Sequence, residues 1–94
     1  MATLKELVKD PSTIFVDVRS PWEFEAEHIP GARNIPLEQI PYKADEFKAF
    51  QHPVVVYCRS GARSGMALGI LQQIGIPHVF NGGGIGDVQF LLNK

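Results

Sequence analysis

The chain has one cysteine among its 94 residues. It can therefore form no internal disulfide and no cysteine-rich metal site, and the lone thiol is either a core filler or a reactive group. Net charge is also nearly absent, with nine Lys and Arg against ten Asp and Glu for a formal charge of -1. That balance argues against nucleic acid as the main partner, because phosphate binding normally leaves a basic surface. Long apolar runs are missing too. No stretch approaches the ~20 residues needed to cross a bilayer. Residues 1–11 are polar and carry both charge signs. They have neither the apolar h-region nor the small-residue cleavage site of a secretory signal. These features point to a cytoplasmic protein that does not engage membranes. His52 and His78 each lie beside a proline and have no ligand spacing with each other, so neither a metal nor a cofactor is expected.

What is present is ordinary for a soluble globular protein: 45% hydrophobic and 20% charged residues. The length suits one domain, residues 1–94, expected to act as a monomer, and is too short for two. Such a chain must gather most of its apolar runs into one core. Turn signals divide it into short alternating units. Thr3 to Lys9 suits a helix with Leu4, Leu7 and Val8 on one face, stopped by Asp10-Pro11. Ile14 to Val18 is β-branched and mostly apolar, the pattern of a strand buried on both faces. Ser20 is placed to cap a helix from Trp22 to Glu27, with Pro21 as its first residue. A short strand is expected at Arg33 to Ile35, limited by Pro36, and a weak helix from Tyr42 to Phe50.

Val54 to Tyr57 is the clearest strand. Cys58 follows it directly, then a glycine-containing loop and a helix from Arg63 to Ile74. In that helix Met66, Ala67, Ile70, Leu71 and Ile74 make one apolar stripe. Gly75 ends it, His78 to Phe80 forms a strand, and Gly82 to Gly84 a turn before a last helix, Asp87 to Leu92. Strands alternating with helices imply a parallel sheet covered on both faces. Ligands in such sheets sit beyond the carboxyl ends of the strands, where Cys58 lies.

The chemistry is expected in Cys58-Arg59-Ser60-Gly61-Ala62-Arg63-Ser64. A strand, tight loop and helix in succession aim several backbone N–H groups into one concavity, and the first turn of the helix adds positive potential. A thiol at the mouth of that nest is stabilised as thiolate. Gly61 permits the turn, Arg59 and Arg63 are available to hold an anion, and Ser60 and Ser64 offer hydroxyls to sulfur or to the helix cap.

This loop resembles the active-site loop of single-domain rhodaneses. Phe15-Val16-Asp17-Val18-Arg19, Glu23-Phe24 and His28 through Leu37 resemble the family's amino-terminal signature, and Gly82-Gly83-Gly84-Ile85 its glycine turn. The resemblance covers Ile14 to Ile85. It implies an α/β, three-layer α/β/α rhodanese-like fold with a parallel sheet of four to five strands, four if the family's first strand is missing. It also implies that Cys58 takes sulfane sulfur from a small anionic donor such as thiosulfate. Cys58 then passes the sulfur from its persulfide to cyanide or a thiol, with Arg59 to Ser64 as the anion cradle; a sulfur-relay protein that hands over persulfide in place of thiosulfate is an alternative donor. The family's aromatic residue after the glycine turn is replaced here, where Gly86-Asp87-Val88 stands.

Other residues near the site have structural readings. Asp17 and Arg19 fit a buried ion-pair network involving Glu23. His28, before Ile29-Pro30-Gly31, fits a structural hydrogen bond better than a general base. Trp22 and Phe24 fit packing on the sheet better than a substrate lip. Two other functions compete with sulfur transfer. A cysteine-dependent phosphatase or arsenate reductase needs five residues between its cysteine and arginine, whereas four separate Cys58 from Arg63, and no aspartate acid is evident. A non-catalytic rhodanese-like binding module commonly lacks the cysteine that is present here.

Overall fold

Hydrogen bonding runs outward from the valine strand in both directions. The computed structural model describes residues 3–94. Its strands are β1 (Ile14–Asp17), β2 (Arg33–Asn34), β3 (Val54–Cys58) and β4 (Val79–Gly84). They form a four-stranded, fully parallel sheet in the order β2-β1-β3-β4. The α-helices are α1 (Leu4–Lys9), α2 (Pro21–Ala26), α3 (Ala44–Ala49), α4 (Ala62–Ile74) and α5 (Ile85–Leu92).

Alternation along β3 assigns its side chains to two cores. Val54, Val56 and Cys58 cluster with Ile40, Phe47, Ala67 and Leu71 on the side of α3 and α4. Tyr57 clusters with Val8, Ile85 and Val88 on the side of α1 and α5. All five β3 residues are buried, as a strand covered by helices on both faces requires. The three-layer α/β/α fold expected from the sequence is therefore present, in its four-stranded form.

Several local expectations change. The helix expected over Tyr42–Phe50 is α3 alone, because Leu37–Tyr42 winds as a 3₁₀ segment containing Pro41. Met66 leaves the apolar stripe of α4. It is 60% exposed while Ala67 and Leu71 are fully buried, because the buried face is narrower than the run of apolar residues. The Gly82–Gly84 turn is instead the end of β4. Val56 pairs with Asn81 but Tyr57 with Gly83, so Gly82 is an extra residue that bulges the strand. A Cβ on Gly82 would stand 2.7 Å from Val55 and 3.0 Å from Val88. One on Gly84 would collide with the Arg59 carbonyl oxygen. The glycines are thus needed for close approach, which brings β4 against the loop after β3. Val88, in the segment where the family's aromatic residue is missing, is fully buried and clusters with Tyr57 and Ile85.

Candidate active site

Cys58 ends β3, and only Arg59, Ser60 and Gly61 separate it from α4. Gly61 closes this turn with φ of +99°, in the left-handed region that favours glycine, and a Cβ there would stand 3.3 Å from the Gly83 Cα. The result is a short loop curled over one sulfur atom. The Gly61 N–H donates to Cys58 Sγ at 2.9 Å and the Ser64 N–H at 3.4 Å, with the Ser64 hydroxyl 3.5 Å away. Burial pushes the Cys58 thiol up. Hydrogen bonds from the Ser64 hydroxyl and N–H, and from the Gly61 and Ser60 amides, outweigh burial and hold it below the ordinary thiol value.

The structure corrects one expectation about this thiol. Cys58 is fully buried; it lies beneath the nest and not at its mouth, because the loop is too short to leave the sulfur uncovered. Arg59, Ser60 and Ala62 are the exposed residues of the loop, whereas Ser64 is buried under it.

Asn81 completes the cluster, a residue that sequence reasoning misses. Its Oδ1 accepts from the Gly83 N–H at 2.8 Å and stands 2.7 Å from the Ser64 hydroxyl, where it competes with Cys58 Sγ for the one hydroxyl proton. Asn81 pairs in register with Val56, which belongs to the same core as Cys58. A polar residue just before the glycine stretch is a signal, but only the strand register gives it a direction.

The two arginines of the loop differ. Arg63 is paired with a carboxylate: its Nη1 and Nη2 donate to the two oxygens of Glu23 at 2.8 and 3.1 Å, and its side chain stays 34% exposed. Glu23 also accepts from the Ser20 N–H at 3.1 Å, as the third residue of a helix whose first is Pro21. The Arg63 guanidinium beside Glu23 holds that carboxyl at about 2. Among the described residues Arg59 makes no ion pair. It borders a cavity of about 300 Å³ together with Glu23, Trp22, Ala26 and Ile85. Trp22 is 71% exposed, so the packing expected of it does not occur and it forms part of the cavity wall. A larger cavity of about 630 Å³, beside Thr13 and Leu92, contains no residue of the loop.

Asp17 and Arg19 form the expected buried pair, without Glu23. Arg19 donates to both Asp17 oxygens at 2.7 to 3.0 Å and to the Glu27 carbonyl. His28 keeps its structural role, with Nδ1 2.8 Å from the Phe24 carbonyl and its ring stacked 3.8 Å from Phe24. Phe24 packs on His28 in place of the expected sheet contact.

The geometry is that of a thiol in a cage of amides at a strand-to-helix turn. The sequence profile of the rhodanese-like domain family matches residues 1–86. This chain belongs to the rhodanese-like family. Thiosulfate sulfurtransferase PspE of Escherichia coli (strain K12) is 40% identical over 75 residues, which are 79% of this chain and 72% of that protein. Among solved structures, a rhodanese with anions from E. coli is 38% identical with a TM-score of 0.73, covering 80% of this chain and 89% of that one. The human single-domain sulfurtransferase TSTD1 is 28% identical at the same TM-score of 0.73, covering 97% and 90%. No helix among the described residues of this rhodanese-like chain is long and apolar enough to cross a membrane.

Proposed function

We propose that this rhodanese-like chain is a thiosulfate sulfurtransferase working through a persulfide on Cys58. The observation that carries the reading is the convergence of the Gly61 and Ser64 amides on the sulfur of the chain's one cysteine. With thiosulfate, the Cys58 thiolate attacks the outer sulfur, an S–S bond forms at Sγ, and the bond to the sulfonate sulfur breaks. Sulfite leaves with the electron pair. Cyanide then takes the outer sulfur as thiocyanate and restores the thiolate; a thiol acceptor takes it as a persulfide in the same way.

Each residue has a role in this scheme. Cys58 is the nucleophile and carrier, and the amides of Ser60, Gly61 and Ser64 hold negative charge on sulfur. Arg59 draws the anionic donor, and Ala62 and Arg63 open the helix whose first turn frames the cage. Because Cys58 is covered, a donor reaches it when the exposed Arg59–Ser60 segment yields. The protein acts as one domain and a monomer, in the cytoplasm, where a lone thiol stays reduced. A persulfide-bearing relay protein is an alternative source of sulfur.

Incubation with thiosulfate should add one sulfur atom to the protein by mass spectrometry, and cyanide should remove it as thiocyanate. Cys58→Ser should lose both, and transfer that survives in this variant would overturn the assignment. The complete burial of Cys58 favours a second reading, a non-catalytic rhodanese-like module. That reading is chosen if the wild-type protein takes up no sulfur from either thiosulfate or an organic persulfide.

A further inference from the structure

The Ser64 hydroxyl belongs to a fully buried residue and holds a single proton, yet acceptors surround it. Asn81 Oδ1 stands 2.7 Å away, the Gly61 carbonyl 3.1 Å, the Gly83 carbonyl 3.4 Å and Cys58 Sγ 3.5 Å. The strand itself fixes the orientation of the Asn81 amide. Its Oδ1 accepts from the Gly83 N–H, two residues on across the Gly82 bulge, so the oxygen and not the NH2 group faces Ser64. A neutral thiol sulfur is a weak acceptor, and against it the Asn81 oxygen takes the proton. A thiolate reverses the order, because a hydrogen bond to an ionised acceptor is roughly twice as strong as one between neutral groups.

We infer that Asn81 is a positioning residue that keeps the Ser64 hydroxyl proton while Cys58 Sγ is neutral and yields it when charge comes to that sulfur. The inference rests on the sulfur-transfer reading of Cys58. The resting thiolate carries its charge on Sγ, and the hydroxyl points at it. When the thiolate takes the outer sulfur of thiosulfate, the Sγ–S bond forms, sulfite leaves with the electron pair, and the remaining charge lies on the outer sulfur. Sγ is then neutral, and the hydroxyl turns back to Asn81. When cyanide removes the outer sulfur as thiocyanate, the electron pair of the Sγ–S bond returns to Sγ and the hydroxyl turns to it again. A rotating O–H, whose proton never leaves its oxygen, thus follows the charge through the cycle. The bond given up at Asn81 offsets part of what the hydroxyl gives the thiolate, so Asn81 makes Cys58 hold its own proton more firmly.

The chain has one cysteine, so the ultraviolet absorbance of the thiolate followed against pH, with Cys58→Ser as the blank, reads this group alone. Asn81→Ala frees the hydroxyl for the sulfur and should lower the midpoint by about one pH unit, the shift that a hydrogen bond of ordinary net strength makes. Ser64→Ala should raise it. Adding Asn81→Ala to Ser64→Ala should then change it by less than about 0.3 unit, because Asn81 reaches the sulfur only through the hydroxyl. Asn81→Asp keeps an acceptor for the Gly83 N–H, and with it the bulge. Its carboxylate should raise the midpoint in both backgrounds by its charge, and further where the Ser64 hydroxyl is present for it to hold. The charged groups around the site are the same in every variant: Arg59 in the loop, Arg63 with Glu23, Arg19 with Asp17, and Asp87 on the Gly84 N–H. An Asn81→Ala midpoint at or above that of wild type overturns the inference. So does a shift of equal size with and without the hydroxyl, and if Asn81→Ala does not fold, the Asn81→Asp comparison decides alone. These midpoints need no sulfur donor. A wild-type protein that takes up sulfur from neither thiosulfate nor an organic persulfide removes the sulfur-transfer reading and the cycle built on it, whereas the midpoints decide what Asn81 does to the thiol.

Discussion

Two arginine–carboxylate pairs each lend one residue, Arg19 and Glu23, to the wall of the same cavity, and the pairs differ in depth. Arg19 and Asp17 have side chains 7% and 0% exposed, while Arg63 and Glu23 have 34% and 10%. The inner pair is fully used. Asp17 also accepts from the Arg19 N–H at 2.9 Å, and Asn34 donates to the Asp17 and Arg19 carbonyls, tying β1 to β2. The outer pair joins two helix starts, those of α2 and α4. Similar chemistry therefore anchors the sheet in one place and joins two helix starts in the other, and burial decides how much an unpaired ion costs in each.

The largest effect should come from breaking the inner pair. Arg19→Met leaves Asp17 buried and uncompensated and should cost about 3–5 kcal/mol in denaturant unfolding. A loss below about 1 kcal/mol would place this pair with surface ion pairs. Next is the cage beside both pairs. Ser64→Ala removes a hydroxyl and the contact to Asn81, and should move the pH midpoint of Cys58 alkylation upward, so that less thiolate is present at a given pH. An unchanged midpoint would leave the amides alone in control of the sulfur. The smallest effect should come from the outer pair: Glu23→Gln should change stability by about 1 kcal/mol or less at neutral pH. Glu23 has its folded value depressed to about 2 from 4.5, so its contribution is complete above 4.5 and is lost as the pH falls toward 2. Unfolding measured across that window should show a shallower acid limb in Glu23→Gln; equal slopes would contradict the assignment.

Much of this is legible in the sequence for local reasons. The run Val54 to Tyr57 is apolar without a break, Gly61 and Gly75 bracket a helix, and both have the positive φ that glycine tolerates. The loop from Cys58 to Ser64 is contiguous, so its residues have to lie near one another. Met66, Trp22 and Gly82 to Gly84 are harder to place. Whether an apolar side chain is covered, and whether a glycine turns or merely makes room, depends on neighbours distant in sequence.

By itself the sequence determined the alternation of strands and helices, the place of the cysteine at a strand end, and the amide-rich turn after it, since periodicity and turn chemistry act over a few residues. Tertiary structure alone decided that the sulfur is covered, that Glu23 takes Arg63, and that Asn81 holds Ser64. The last two contacts link residues 40 and 17 positions apart, brought together by the parallel sheet and its register. Distance along the chain carries no information about such pairs; packing does.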